Sequence, residues 1–169
     1  TSIYLSKIYS EHEFQYLNVG HRIKALERDF SEAEKMINDA DLLVFSYPVY
    51  TFLAPYQLHK FISLLKESGI NLNGKYATQI STSKHFYDVT AHRYIQDNCQ
   101  EMGMKFIKGL SADMDDLLTE KGQKQAKDFF EYVAFCVKNN IYEKSSVRNS
   151  EPKHISVDIP ENNAEKSGD

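Results

Sequence analysis

The stretch from Leu42 to Tyr47 (LLVFSY) is almost continuously apolar and is stopped by Pro48. So short and apolar a run reads as a strand buried on both faces, since a strand with one wet face alternates polar and apolar residues. Such strands belong to parallel sheets covered by helices on both sides. The flanking text agrees. Before the run, Ala33, Met36, Ile37 and Ala40 fall on one side of a helix, with Ser31 and Glu34 at capping-box spacing. After it, Leu58, Phe61, Ile62 and Leu65 form a second apolar side, closed by Gly69 as a C-terminal cap.

The same alternation runs through the rest of the chain. Thr1 and Ser2 stand as caps before Ile3, Tyr4, Leu5 and Ile8, which predicts an opening helix. Glu13 to Val19 (EFQYLNV) reads as a short strand, followed by a polar stretch to Phe30. Lys75 to Ser81 and Met104 to Leu110 are further strand candidates. Between them, Asp88 is placed to cap a helix carrying Ala91, Tyr94, Ile95, Cys99 and Met102, ended by Gly103. Thr119 opens a long helix with Ala126, Phe129, Phe130, Val133 and Val137 on one side. The order α-β-α-β-α-β-α-β-α predicts βαβ units and right-handed crossovers. One more strand ahead of Thr1 would complete the flavodoxin-like, doubly wound α/β layout. The expectation is therefore a chain that has lost a first strand and the loop after it.

Residues 1–142 are expected to form this one domain, which the length of 169 residues also favours. Residues 143–169 are polar, are interrupted by Pro152 and Pro160, and read as a tail or linker with one extended piece at His154 to Ile159. Lys plus Arg is 20 against 24 for Asp plus Glu, so a formal charge of −4 gives no reason to expect nucleic acid or an anionic membrane as partner. Cys99 and Cys136 lack C-x-x-C spacing, which argues against a zinc site, a cysteine-ligated cluster or a disulfide scaffold. No charged-then-apolar leader opens the text, so a cytoplasmic location is expected.

In an open α/β sheet, ligands bind outside the carboxyl ends of the strands. Three loops gather there: Pro48 to Pro55 (PVYTFLAP), Thr82 to Tyr87 (TSKHFY) and Ser111 to Asp116 (SADMDD). The first is stiffened by two prolines and carries Tyr47, Tyr50 and Phe52. Those rings either wall a flat conjugated ligand or pack the loop onto the sheet. The histidines are dispersed, and His85 and His92, seven apart, find no third residue at ligand spacing for a metal. His85 is placed to meet a ligand edge or water. Asp113, Asp115 and Asp116 suit a solvated loop, because a phosphoacceptor domain would need an Asp where the central strand has Tyr47-Pro48.

The segment from Asp41 to Ile62 (DLLVFSYPVYTFLAPYQLHKFI) resembles the flavin-contacting segment of the NAD(P)H-dependent FMN reductase branch of the flavodoxin-like superfamily. The likeness continues through Gly74 to Ser83 (GKYATQISTS) and Gln100 to Ile107 (QEMGMKFI), and covers roughly residues 1–137. It implies that Pro48, Val49, Tyr50, Thr51 and Phe52 line the flavin ring. Ser81, Thr82 and Ser83 would offer backbone N–H and hydroxyl groups to its pyrimidine side, with Tyr87 nearby. Thr1 and Ser2 would be the last residues of the phosphate loop, a Ser- and Thr-rich turn that holds the anion at a helix N-terminus. The implied activity is hydride transfer from NAD(P)H to FMN, then electron delivery to a small-molecule or redox-protein acceptor, with no protein acid, base or nucleophile required. A homodimer is implied by the same likeness, and Phe129, Phe130, Tyr132 and Phe135 divide between core and partner. Two other readings stay open: a flavodoxin-type electron carrier, and a non-catalytic remnant of the fold. Iron–sulfur flavoproteins share the fold but carry a compact cysteine motif that is missing from this text.

Overall fold

The computed structural model describes residues 1–83, 87–113 and 115–145. Its elements are α1 (Ser2–Ile8), α2 (Val19–Leu26), α3 (Ser31–Asp39), β1 (Leu42–Pro48), α4 (Tyr56–Glu67), β2 (Tyr76–Thr82), α5 (Val89–Glu101), β3 (Lys105–Phe106), β4 (Leu110–Ala112) and α6 (Glu120–Asn139). β1 and β2 run parallel along their whole length, from Leu42 opposite Tyr76 to Pro48 opposite Thr82. β3 and β4 follow one another, also parallel, along the second edge of β2.

Alternation along the strands sorts the core into two layers. Phe45 and Tyr47 of β1 and Ala77 of β2 face a large cluster that includes Ile23 and Leu26 of α2, Ile37 of α3, Phe61 and Leu65 of α4, and Ile95 and Cys99 of α5. On the opposite face, Ile80 meets Leu5 of α1 and Ala126 of α6, and Tyr76 packs beside Ile107, Val133 and Cys136. The α/β fold with a parallel sheet therefore stands as expected, as do the helices with Leu58–Leu65, Ala91–Cys99 and Ala126–Val133 buried. Thr119 caps α6 through a hydrogen bond from Gly122 N–H to its Oγ1 at 3.0 Å.

Four expectations are corrected. The segment read as a strand over Glu13 to Val19 forms none; its last residue instead starts α2, inside the stretch read as merely polar. Asn18 supplies the reason, because its Oδ1 accepts the His21 N–H at 3.2 Å and caps the new helix. Ser31 does not close a capping box: it is the first residue of α3, and its own N–H is held by Asp29 Oδ1 at 3.0 Å. The run at β1 is not buried on both faces. Val44 is 42% exposed, since α1 and α6 cover β2 and reach β1 at Leu42, and among the described residues β1 pairs on one edge alone. Finally, the strand read over Met104 to Leu110 is two short pieces. Of the polar tail, residues 143–145 carry no regular element, and His154 to Ile159 lies outside the described residues.

The break between β3 and β4 has a visible cause. Ala77 lies opposite Phe106 but Ile80 opposite Leu110, so three steps on β2 match four on the partner. The extra residue makes a bulge, and Gly109 fills it where the backbone presses on Gln79. A Cβ at Gly109 would sit far inside contact distance of Gln79 Cγ. The bulge re-aims β4 so that Ser111 lies opposite Ser81. Gly122 of α6 is under the same constraint, since a Cβ there would run into the Asp116 carbonyl. Helix propensity alone favours Ala over Gly by about 1 kcal/mol. We nevertheless expect both Gly109→Ala and Gly122→Ala to destabilise the fold by about 1–3 kcal/mol through overpacking. Urea unfolding checks this, and a stabilised Gly122→Ala would contradict the close approach.

Candidate functional site

Because β1, β2 and β4 are parallel, their carboxyl ends open on the same edge, and the loops that follow them are laced together there. Val49 N–H donates to the Thr82 carbonyl at 3.0 Å, and Ser83 N–H to the Ala112 carbonyl at 3.0 Å. The Phe52 and Tyr87 rings approach to 5.2 Å between centroids. Pro48, Val49, Phe52, Thr82, Ser83 and Tyr87 are thus brought to one place, with Tyr50 and Thr51 in the same turn. His85 lies outside the described residues.

The first loop folds into a tight turn. Tyr50 and Leu53 exchange both N–H···O bonds at 3.0 Å, and Thr51 and Phe52 at its tip have φ of 49° and 69°. Two consecutive left-handed residues define the mirror-image turn that usually selects Asn and Gly. A β-branched Thr and a bulky Phe hold it here at a cost. The rings divide between the two sequence readings. Tyr47 is buried, its hydroxyl donating to Gln79 Oε1 at 2.6 Å, so it packs the loop base onto the sheet. Burial and the charge of Asp88 push its phenol up. Tyr50 and Phe52 do the opposite and stand 64% and 48% exposed, with Tyr87 also in solvent.

Under the second loop lies a polar cluster. Ser81 Oγ donates to Asp88 Oδ2 at 2.8 Å and meets His92 Nε2 at 2.7 Å, while Gln79 Nε2 donates to the His92 carbonyl at 3.1 Å. Burial alone would raise the Asp88 carboxyl, yet hydrogen bonding from Ser111 and Ser81 and the charge of His92 hold it below the usual carboxylate range. Burial pushes His92 down, against the opposing pull of Asp88. A serine hydroxyl has one proton, and here Asp88 accepts it, so in the 2.7 Å contact the donor is His92 Nε2–H and the acceptor Ser81 Oγ. That direction is the reverse of the one that activates a nucleophile, in which serine donates to histidine. Ser81 is also fully buried. It therefore supports the end of β2 from inside, its hydroxyl taken up by Asp88 and His92.

Ser83 is different. Its side chain is nine-tenths buried and its Oγ has no hydrogen-bond partner among the described residues. A hydroxyl removed from water without a partner costs about 1–3 kcal/mol; Asp97 Oδ1 and Gln100 Oε1 of α5 are likewise buried and unpaired. Thr1 and Ser2 sit at the start of α1, which packs on α6, and no hydrogen bond joins them to the first two loops. In the third loop, Asp116 Oδ2 accepts the Asp113 N–H at 2.7 Å, closing a local turn. A separate hollow of about 390 Å³ lies beside α6, lined by Ile107, Tyr132, Ile141 and Tyr142, away from the loops. No helix among the described residues is long and apolar enough to cross a membrane.

Sequence reasoning missed the Ser81–Asp88–His92 cluster. Its signal was the acid–histidine pair four residues apart at the start of α5. Asp88 does occupy the capping position there, but its side chain makes no cap hydrogen bond and turns to the strands instead.

No protein-family model matches the chain, and no curated protein sequence does. Solved structures do. An NADH:FMN oxidoreductase in its apo form aligns with a TM-score of 0.62 at 18% identity, over 87% of this chain and 83% of that one. The flavoenzyme NAD(P)H:(acceptor) oxidoreductase of Paracoccus denitrificans gives 0.56 at 19% identity, over 80% and 84%. A flavodoxin from the domain Archaea gives 0.50 at 18%, over 71% and 85%. At such identities the likeness speaks of backbone: the chain has a flavodoxin-like α/β fold, the fold that the sequence alternation implied.

Proposed function

We propose that this chain is the flavin-binding domain of an NAD(P)H-dependent oxidoreductase. One observation carries the reading: the exposed Phe52–Tyr87 ring pair stands on the same loop edge as a buried, unpaired Ser83 hydroxyl. A flat conjugated ring with a polar rim needs that combination, an apolar wall for its face and a fixed polar group for its edge. The residues present fit the ring of FMN. The fold neighbours whose names include flavin chemistry point the same way.

Under this reading Pro48, Val49, Tyr50, Thr51 and Phe52 form the wall and keep water off the ring, and Tyr87 closes it from the second loop. Ser83 Oγ and the Thr82 hydroxyl hold the pyrimidine edge in register. Thr1 and Ser2 stand toward the phosphate end. Bound FMN would accept hydride from NAD(P)H and pass electrons to a small-molecule or redox-protein acceptor. The chain's part is to bind, orient and exclude water. A second copy of the chain is the partner we expect against the exposed Tyr132 and Phe135 of α6, and the cell interior is the expected location.

The strained tip belongs to the same reading. Each non-glycine residue in the left-handed region costs about 1–2 kcal/mol, and such strain collects at ligand clamps. Thr51→Gly is expected to raise unfolding stability by about 0.5–1 kcal/mol in urea, the relieved strain being offset in part by unfolded-state entropy. It should weaken flavin binding at the same time, because the wall loosens. The direct test is titration of FMN with the full chain, followed by quenching of flavin fluorescence. Quenching is expected, with Phe52→Ala weakening binding by about tenfold. Undiminished fluorescence at saturating protein would overturn the reading.

A further inference from the structure

We infer that Asp88 is a positioning residue, whose carboxylate ties the first turn of α5 to the ends of β2 and β4 and so fixes the backbone at Thr82 and Ser83 for its ligand. The ligand part of this inference rests on the flavin reading; the fixing of that backbone does not.

The geometry is that of a staple. Asp88 and Ser81 lie seven positions apart, at the two ends of the second loop, and are joined by the 2.8 Å bond from Ser81 Oγ to Asp88 Oδ2. His92, one helical turn further along, reaches the same hydroxyl and comes within 3.4 Å of the same carboxylate oxygen. Ser111 on β4 holds the carboxyl as well. Three elements therefore meet at one buried acid. The groups facing it are Ser81 from β2, Ser111 from β4, His92 from α5, and the Tyr47 phenol from β1, whose own ionisation feels its charge.

Removing the acid should free that backbone. A buried acceptor that satisfies several donors leaves each of them unpaired when it is lost, and the loop must then find a new arrangement. Two backbone bonds report on it from either side: Ser83 N–H to Ala112, and Val49 N–H to Thr82. Both lie next to the residues proposed to touch the ring. Ser83 Oγ makes no bond of its own among the described residues, so its position is inherited from the backbone that Asp88 holds. Binding sites lose affinity when the groups that support the contacting ones are loosened.

The test compares the full-length chain with Asp88→Ala and with the gentler Ser81→Ala, which removes one arm of the staple and keeps the acid. Amide hydrogen exchange is read at Ser83 and Val49, with the Ala77 and Gln79 amides of β2 as controls. Exchange at Ser83 and Val49 at least tenfold faster in both variants, with the controls unchanged, supports the staple. Equal acceleration at all four amides, or none, overturns it and leaves Asp88 a general structural residue. A second arm measures FMN affinity and the visible spectrum of the bound flavin. Weakening by tenfold or more, with a shifted spectrum in the variants, supports the positioning role; the same affinity and spectrum as the parent overturn it. Should the parent chain bind no FMN, the flavin reading fails, and the exchange arm still decides whether Asp88 fixes that backbone. If Asp88→Ala does not fold, Ser81→Ala decides alone.

Discussion

The parallel pairing of β1 with β2 is the constraint from which the rest of the molecule follows. Its register is unbroken from Leu42 opposite Tyr76 to Pro48 opposite Thr82, so the two strands end together. A slip of one residue would turn Phe45 and Tyr47 out of the core and bring Ser46 in, which burial forbids. Because the ends coincide, Val49 can bond to Thr82, and the first loop is fixed to the second before any side chain is considered. The bulge at Gly109 does the same for the third loop, letting β4 reach Ser81 after β3 has paired at the other end of β2. The candidate site is a consequence of where strands stop.

This explains what could be read in advance. Segments whose apolar pattern is decided by a single sheet face were legible: in α4, α5 and α6 the 3.6 period marks the inward side, although Cys136 is buried without having been named and Phe129, Phe130 and Val137 are only partly buried. The loops gathered where parallel strands require. Legibility failed where tertiary surroundings outrank local pattern. Phe14, Tyr16, Leu17 and Val19 alternate well enough for a strand, yet Asn18 starts a helix at Val19 and Leu17 and Val19 pack at the rim of the larger core. Val44 looked buried because its neighbours in sequence are apolar; its exposure depends on how far α1 and α6 extend. At the site, the division of Tyr47 from Tyr50 and Phe52 hinged on side-chain direction, which composition does not carry.

The interior of the sheet is more polar than its sequence suggests. Thr78, Gln79 and Ser81 are all buried on β2, the central strand. Gln79 links the Tyr47 hydroxyl to the His92 carbonyl, and Ser81 links Asp88 to His92. An apolar trio would pack there without any hydrogen-bond requirement, and a half-satisfied polar trio would be worse than either. These groups are satisfied and converge toward the carboxyl end of the strand. A polar network in that place specifies the arrangement of the loop above it, where apolar packing would tolerate several.

Against that background the unpaired Ser83 hydroxyl carries more weight than a lone exception would elsewhere. Its neighbour Ser81 on the same strand end is paired with both Asp88 and His92, and Ser111 with Asp88, so the local structure is able to satisfy a serine when it needs to. Ser83 is nonetheless left without a partner among the described residues, beside two rings held in solvent and a turn whose tip is strained. Three separate departures from what a folded chain prefers (an orphan polar atom, exposed aromatics and left-handed Thr and Phe) coincide on one edge. Each costs stability, and the edge on which they meet is the one where parallel α/β sheets bind ligands; buried unpaired atoms and exposed apolar side chains also occur elsewhere, at Asp97, Gln100 and Leu118 among others. The fold is shared with proteins at under 20% identity, so backbone alone does not select the ligand. What would select it are the side chains this chain sets on that edge, and the reading of a flat ring with a polar rim rests on Ser83, Phe52 and Tyr87 rather than on the fold.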